Sequence, residues 1–420
     1  IIAFHAVFPV FSIGMASFIA MLEYKYYRTG NPTYSRLSRY WTHVFAIGFG
    51  MGVVSGIVMS FQFGTNWSNF AYATANFLGP VLSYEVVTAF FLEAAFLGVL
   101  LFGRDKVPKG VHLFSAFMVA FGTFVSSFWI LAANSWMQTP AGYEMIEGMV
   151  HVTDWMAAIF NPSFPYRFAH MGIASFLTGA FVVAGVSSYY IIKGRDVYTH
   201  GRALSMCMWL ILFLAPAQVI MGDHHGLNTL EYQPAKVSAM EGNWETQAGA
   251  PLLLFALPDS ESQSNLFEIG IPNLASFILT HDLNGVVPGL EDVPKAEQPP
   301  VAPVFWTFRL MVGIGLLMVL AGLYGVWTRF RGKLNEPTLF HKFMVAMIPA
   351  PFIAVVAGWF VSEMGRSPWL VYGVMEYASA VTPSLTGGVA LASLIGYMLV
   401  YAVIYSAGLK YIVQTINEGV

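Results

Sequence analysis

The chain has 420 residues, 56% of them hydrophobic and only 10% charged, with a formal net charge of −3. Its 35 Phe, 21 Met and 11 Trp exceed what a soluble core needs, and apolar runs of about 20 residues match a bilayer, so the composition excludes a soluble domain. No Lys/Arg cluster carries a nucleic-acid signature, and the one cysteine, Cys207, excludes an internal disulfide or a thiolate metal cage.

In chain order the apolar spans run at about 1–22, 41–62, 81–103, 112–136, 166–190, 204–221, 304–328, 343–362 and 386–409. They predict an all-α integral membrane protein with nine transmembrane helices, because lipid cannot satisfy free backbone groups and the runs lack the alternation of a membrane barrel. The opening Ile-Ile-Ala-Phe-His has no initiator Met and no basic flank, so the first span reads as truncated, with residues before Ile1 missing. Cys207 falls inside the sixth span and reads as core.

Fifteen of the 20 basic residues occupy every second connection: Lys25, Arg28, Arg36 and Arg39 after span one, Arg104, Lys106 and Lys109 after span three, Lys193, Arg195 and Arg202 after span five, Arg329, Arg331, Lys333 and Lys342 after span seven, and Lys410 after span nine. Because Lys and Arg prefer the cytoplasmic side, the N-terminus is expected outside and the C-terminus inside. The organisation is then helices one to six over 1–221, one long outer loop over 222–303, and helices seven to nine over 304–420. That loop holds eleven acids against Lys236 and Lys295.

An ionised group at the bilayer centre costs about 2.5–3.5 kcal/mol, so ionisable groups inside spans are functional candidates. His5, Glu85, His170, Arg309 and Glu363 count out at about 10 Å or less from the outer boundary, together with Met311. Glu93 lies deeper, eight residues beyond Glu85 on nearly the same face. The apolar setting favours its neutral form, and the pair can relay a proton outward. The competing readings are packed core for His170 and Met311, and charge pairing with Arg309 or Arg366 for Glu363. His43, His112, His200 and His341 flank basic connections and read as solvated; His224 and His225 read as the start of the outer loop. Neutral imidazole, a thioether and carboxylates among many aromatics in a dry layer suit haem, as an electron-transfer centre with two axial ligands or as one with an open position. Arginines at that depth can neutralise propionates, and Trp129, Trp136, Trp359 and Trp369 offer flat packing surfaces.

At these residues the chain resembles subunit I of cytochrome bd-type ubiquinol oxidases, over nearly its whole length. The segments are FHAVFPVFSIGM at 4–15, FQFGTNWS at 61–68, YEVVTAFFLEAAF at 84–96, WILAANSWMQTP at 129–140, RFAH at 167–170, QPAKVSAMEGNWETQ at 233–247, FWTFRLMVG at 305–313 and GWFVSEMGRSPW at 358–369. The resemblance implies a membrane quinol:O₂ oxidoreductase of the bacterial inner membrane, with two haem b and one haem d, the latter replaced by haem b in some relatives. It makes His170 and Met311 the axial ligands of the low-spin haem with Arg309 beside it, and His5 and Glu363 the ligands of the two high-spin haems, in an order it leaves open. It gives Glu85 and Glu93 to the di-haem site and its proton path, with Ser126 and Asp105 as further path residues, and Lys236 and Glu241 to the quinol loop. The short loop is similar to that of the cyanide-insensitive branch. Gly365-Arg366-Ser367-Pro368-Trp369 departs from the family's Gly-Arg-Gln-Pro-Trp. Implied partners are subunit II, a small single-helix subunit, quinol, O₂ and membrane lipid. A haem relay without oxidase activity and a proton-coupled transporter using Glu85 and Glu93 are the alternatives; no similarity between the halves supports the transporter.

Overall fold

The computed structural model describes residues 2–419. Among them nine helices are long and apolar enough to cross a membrane: α1 (Ile2–Thr29), α2 (Pro32–Thr65), α3 (Ala75–Phe102), α4 (Lys109–Gln138), α5 (Phe164–Ile192), α6 (Val197–Tyr232), α7 (Val301–Phe330), α8 (Leu339–Met364) and α9 (Gly387–Glu418). Each covers one expected span to within a residue at either end and extends past it at one end or both, because backbone hydrogen bonding continues where the apolar run stops. The largest extension is in α6, which carries Asp223, His224 and His225 as helix rather than as the start of a loop. Polar side chains alone do not end a helix; Gln233 and Pro234 do.

Local sequence sets the irregularities. Asn31 caps α2, its side chain accepting from Thr33 N at 2.9 Å with Pro32 in the first turn. α8 is interrupted between Leu339–Ala346 and Ala350–Met364, where Pro349 and Pro351 remove backbone donors. α3 contains a π-helical turn over Val86–Phe90.

α1 is central, packed against α2, α4 and α5, while α7 packs on α6 and α8. The α1–α5 crossing is close because both partners present glycine: a Cβ on Gly14 would lie 2.8 Å from Gly179 N. At the basic end of the bundle the connections meet one another. Arg36 pairs with Asp196 at 3.5 Å, and Glu23 in α1 is bonded by Arg104, Ser38 and His112, the last at 3.1 Å. Three histidines expected in solvent are instead buried here. His112 holds Glu23 and Leu100 O, His200 stacks on Tyr190 at 4.0 Å, and His341 accepts from Thr338 N and donates to Leu334 O. An imidazole has apolar faces and two polar edges, so it packs wherever backbone or carboxylate groups satisfy those edges. His43 is exposed, as expected.

At the other end, the segment between α6 and α7 folds over the bundle. It holds a short helix, Pro234–Glu241, and an antiparallel hairpin of Leu252–Asp259 with Ser264–Ile271. Trp244 seals it onto the bundle with Leu290, Val301, Val304 and Val361.

Candidate functional site

Lys236 and Glu241, expected on an exposed acidic loop, are both buried. The short helix that carries them is pressed onto the ends of α4, α7 and α8, so the loop contributes to the bundle core as well as to the surface. Lys236 Nζ donates to Gln138 Oε1 at 2.6 Å, and Arg309 Nη2 donates to Glu241 Oε2 at 2.7 Å. Burial, with the charges of Arg167 and Arg366 nearby, holds Lys236 well below the usual lysine range.

Beside Lys236 lies Glu363 in the last turn of α8. Arg366 bonds its Oε2, and Asn134 Nδ2 donates to Oε1 at 3.0 Å. Arg167 donates to Ser362 Oγ at 2.8 Å. Arg167, Arg366 and Lys236 are all buried around this one carboxylate, so charge pairing with Arg366 is real, yet it leaves the pocket with more cations than anions. Buried donors here lack partners: Arg167 Nε and Arg366 Nη1, with Trp359 Nε1 close by in the same helices. Such atoms call for a further acceptor.

His170 is half-buried in α5, with its Nδ1 buried and unpartnered. A Cβ on Gly222 of α6 would make an ordinary 3.5 Å contact with the imidazole, whereas Met311 Sδ of α7 sits over Gly358 of α8, where a Cβ would lie at 2.9 Å. His5 in α1 meets Ser55 of α2. Nδ1 lies 2.8 Å from Ser55 Oγ, which also reaches Gly52 O at 2.9 Å; with the hydroxyl proton on that carbonyl, Oγ accepts from Nδ1–H and Nε2 keeps its lone pair. Gly56 lies under the same ring.

Glu85 and Glu93 face one stripe of α4. Glu85 Oε1 accepts from Ser126 Oγ at 2.7 Å, and Gly122, one turn before Ser126, makes room for Glu93, since a Cβ there would lie 2.6 Å from Glu93 Cγ. The π turn between the two carboxylates absorbs one residue, so eight positions advance as about seven do in an α-helix, within roughly 20° of two full turns. The alignment is better than regular periodicity gives. Asp105 stands apart from them, exposed at the basic end beside Arg39 at 3.4 Å.

Among the described residues no group of three or more His, Cys, Asp or Glu is placed to hold a bare metal ion. His5, His170, Met311 and Glu363 lie singly on separate helix faces. Single axial donors on glycine-cleared faces, with unpaired buried cations nearby, fit haem, whose macrocycle needs one or two protein ligands and whose propionates need cations. Sequence reading missed Asn134, Gln138, Arg167, Gly122 and Gly358. Asn134 and Gln138 carried a signal, as amides inside an apolar helix, and Arg167 as a cation at the start of one; the glycines carried none.

Comparison with known proteins identifies the family. The chain is 35% identical over 99% of its length to cytochrome bd ubiquinol oxidase subunit 1 of Bacillus subtilis (strain 168), covering 91% of that protein. It is 31% identical over 93% of its length to cytochrome bd-II ubiquinol oxidase subunit 1 of Escherichia coli (strain K12), covering 89% of it. A solved structure, that of bd oxidase from Geobacillus thermodenitrificans, superposes with a TM-score of 0.91 at 31% identity, covering 99% of this chain and 96% of that one. The profile of the cytochrome bd terminal oxidase subunit I family matches residues 1–420, and the chain belongs to that family.

Proposed function

We propose that the chain is the quinol-oxidising, O₂-reducing subunit of a terminal oxidase in a bacterial cytoplasmic membrane. The observation that carries this reading is the donor set: four separate single donors, two of them on faces cleared by Gly56 and Gly358, beside a buried cation cluster under the loop. When bound there, two haem b and one haem d, or a third haem b in its place, would supply the electron path and the position at which O₂ is reduced. His170 and Met311 would hold the low-spin haem, and His5 and Glu363 the two high-spin ones. Arg366 fixes the Glu363 carboxylate, Arg167 holds the neighbouring Ser362 hydroxyl, both would offer hydrogen bonds to propionates, and Trp359 packs alongside.

Quinol binds at the loop between α6 and α7. Glu241 accepts a quinol proton while Arg309 keeps its carboxylate oriented, and Lys236 holds the short helix in place beside the head group. Two quinols and one O₂ give two quinones and two waters, so four protons leave the quinol side and four are taken up at the reduction site. Glu93 and Glu85, stacked along α4 with Ser126 between them, carry the incoming protons from the basic end, with Asp105 at its mouth. With that end in the cytoplasm by the distribution of Lys and Arg, and the quinol loop outside, charge is separated without a pump. Subunit II and a small single-helix subunit cover lipid-facing helices.

The purified complex should show reduced-minus-oxidised bands of low-spin and high-spin haem and take up O₂ with quinol as donor. Haem bands without O₂ uptake would leave the relay reading, and absence of haem would favour the transporter.

A further inference from the structure

We propose that Gln138, the last residue of α4, is a positioning residue that fixes Lys236 against the end of α8 and thereby sets the geometry of the quinol-side helix. The inference rests on the oxidase reading above, in which that helix serves quinol.

Gln138 is fully buried. Its Nε2 faces acceptors only: Ser362 Oγ at 3.3 Å, Ser362 O at 3.4 Å and Glu363 Oε1 at 3.4 Å. These acceptors fix which way the amide lies, because the flipped amide would set its oxygen against Ser362 O and the Glu363 carboxylate. The carbonyl oxygen therefore points to Lys236 Nζ, 2.6 Å away, and Nζ has no other hydrogen-bond partner among the described residues. The backbone carbonyl of Gln138 also accepts from Gln233 Nε2 at 3.0 Å. One residue thus binds two loop positions that are three apart, at the entry to the short helix and one turn into it.

A separate observation shows that the seat is shaped for this side chain. A Cβ on Gly365 would lie 2.8 Å from Lys236 Cγ and 3.2 Å from its Cδ. The lysine stem crosses bare backbone at the end of α8, and only glycine leaves that room. At its far end the same short helix is held by Arg309 through Glu241. Gln138 and Arg309 are then the two fixed points between which the quinol-side helix is stretched, and Gln138 also touches Glu363, so the loop and the Glu363 pocket share one hydrogen-bonded amide. Removing the amide strands a buried lysine without an acceptor, which drives its side chain out and loosens the helix.

The test uses the whole oxidase complex with Gln138→Leu, Lys236→Met and both together. Quinol KM and kcat, turnover with a one-electron dye that bypasses quinol, the reduced-minus-oxidised spectrum, and amide exchange over 234–241 are measured. Gln138→Leu should raise quinol KM about tenfold with little change in kcat, dye turnover or spectrum, and should speed exchange of the short helix; the double variant should be no worse than the worse single one. Unchanged KM and exchange overturn the proposal, as do additive effects of the two substitutions, or loss of dye turnover together with the haem spectrum, which would make Gln138 a support of Glu363 alone. If the unsubstituted complex takes up no O₂ with quinol, the oxidase reading fails, while faster exchange in Gln138→Leu upholds the positioning role by itself.

Discussion

Arg309 Nη2 and Glu241 Oε2 lie 2.7 Å apart, joining α7 to the last residue of the short loop helix. Nε of the same guanidinium donates to Leu253 O at 2.5 Å, so one arginine clamps the helix and the hairpin to the bundle. Glu241→Ala should therefore lower quinol-driven O₂ uptake by about tenfold or more, with dye-driven uptake nearly intact. Glu241→Gln keeps an acceptor for Arg309 but cannot take a proton as a carboxylate does; it should retain the loop structure and still lose quinol turnover. Equal loss with both donors would assign Glu241 a structural role only.

Met311 rests on the bare face of Gly358. A methyl group there would sit 2.9 Å from Sδ, inside ordinary contact, so Gly358→Ala should displace the thioether. His170→Ala and Met311→Leu should each remove the low-spin haem band while the helices persist, because ligation on both sides needs both side chains, and Gly358→Ala should weaken or shift that band with both ligands present. An unchanged band in all three variants would remove these residues from the haem site.

The buried network of Glu23, Arg104 and His112 touches none of the proposed haem donors and holds the basic ends of α1, α3 and α4 together. Removing one partner strands the others in a low-dielectric setting, so Glu23→Ala should destabilise the fold by about 3 kcal/mol and lower the thermal midpoint in detergent, with the haem spectrum of the folded fraction unaltered. A midpoint equal to that of the unsubstituted protein would show that the network contributes no stability.

Lys236 gives a pH dependence with a definite sign. Burial first, then the charges of Arg167 and Arg366, depress its folded-state pKa well below 10.5, so the folded chain binds less proton than the unfolded one. The resulting stability is present at high pH and is lost as pH falls from the ordinary lysine range towards the folded value. Between about pH 7 and about pH 9 the thermal midpoint of the unsubstituted protein should rise more steeply than that of Lys236→Met. Parallel curves would show that Lys236 titrates normally.

Spans were legible because lipid leaves so little choice: a run of apolar residues long enough to cross must be helical, and all nine expected spans lie inside observed helices to within a residue at either end. The ionisable residues of the site stood out for the same reason, since each breaks an apolar run. What was not legible is how the loop meets the bundle. Composition gives Lys236 and Glu241 the look of solvated charges, and only the tertiary partners Gln138 and Arg309, about 98 and 68 positions away in sequence, make their burial tolerable. Glycines such as Gly122 and Gly358 are equally silent, because what matters is the space they leave for a side chain on another helix. The π turn in α3 also escaped periodicity, which assumes an even advance per residue.

Glu93 is where that space and that turn combine. It is buried, one carboxylate oxygen has no partner among the described residues, and its stem packs directly on the glycine of α4. Glu85, in phase with it through the π turn, is already bonded to Ser126. A carboxyl with a free oxygen is suited to passing a proton to the next polar group, whereas one locked by several partners would serve to hold helices together. Glu93→Gln keeps shape and hydrogen-bonding capacity but removes the exchangeable acid. It should stop sustained O₂ reduction while all haems stay bound and reducible by quinol, and Gly122→Ala, which crowds Glu93 without altering its chemistry, should slow turnover in the same way to a lesser degree. Loss of haem from Glu93→Gln would make Glu93 a support of the cofactor site, and normal turnover would route the protons elsewhere.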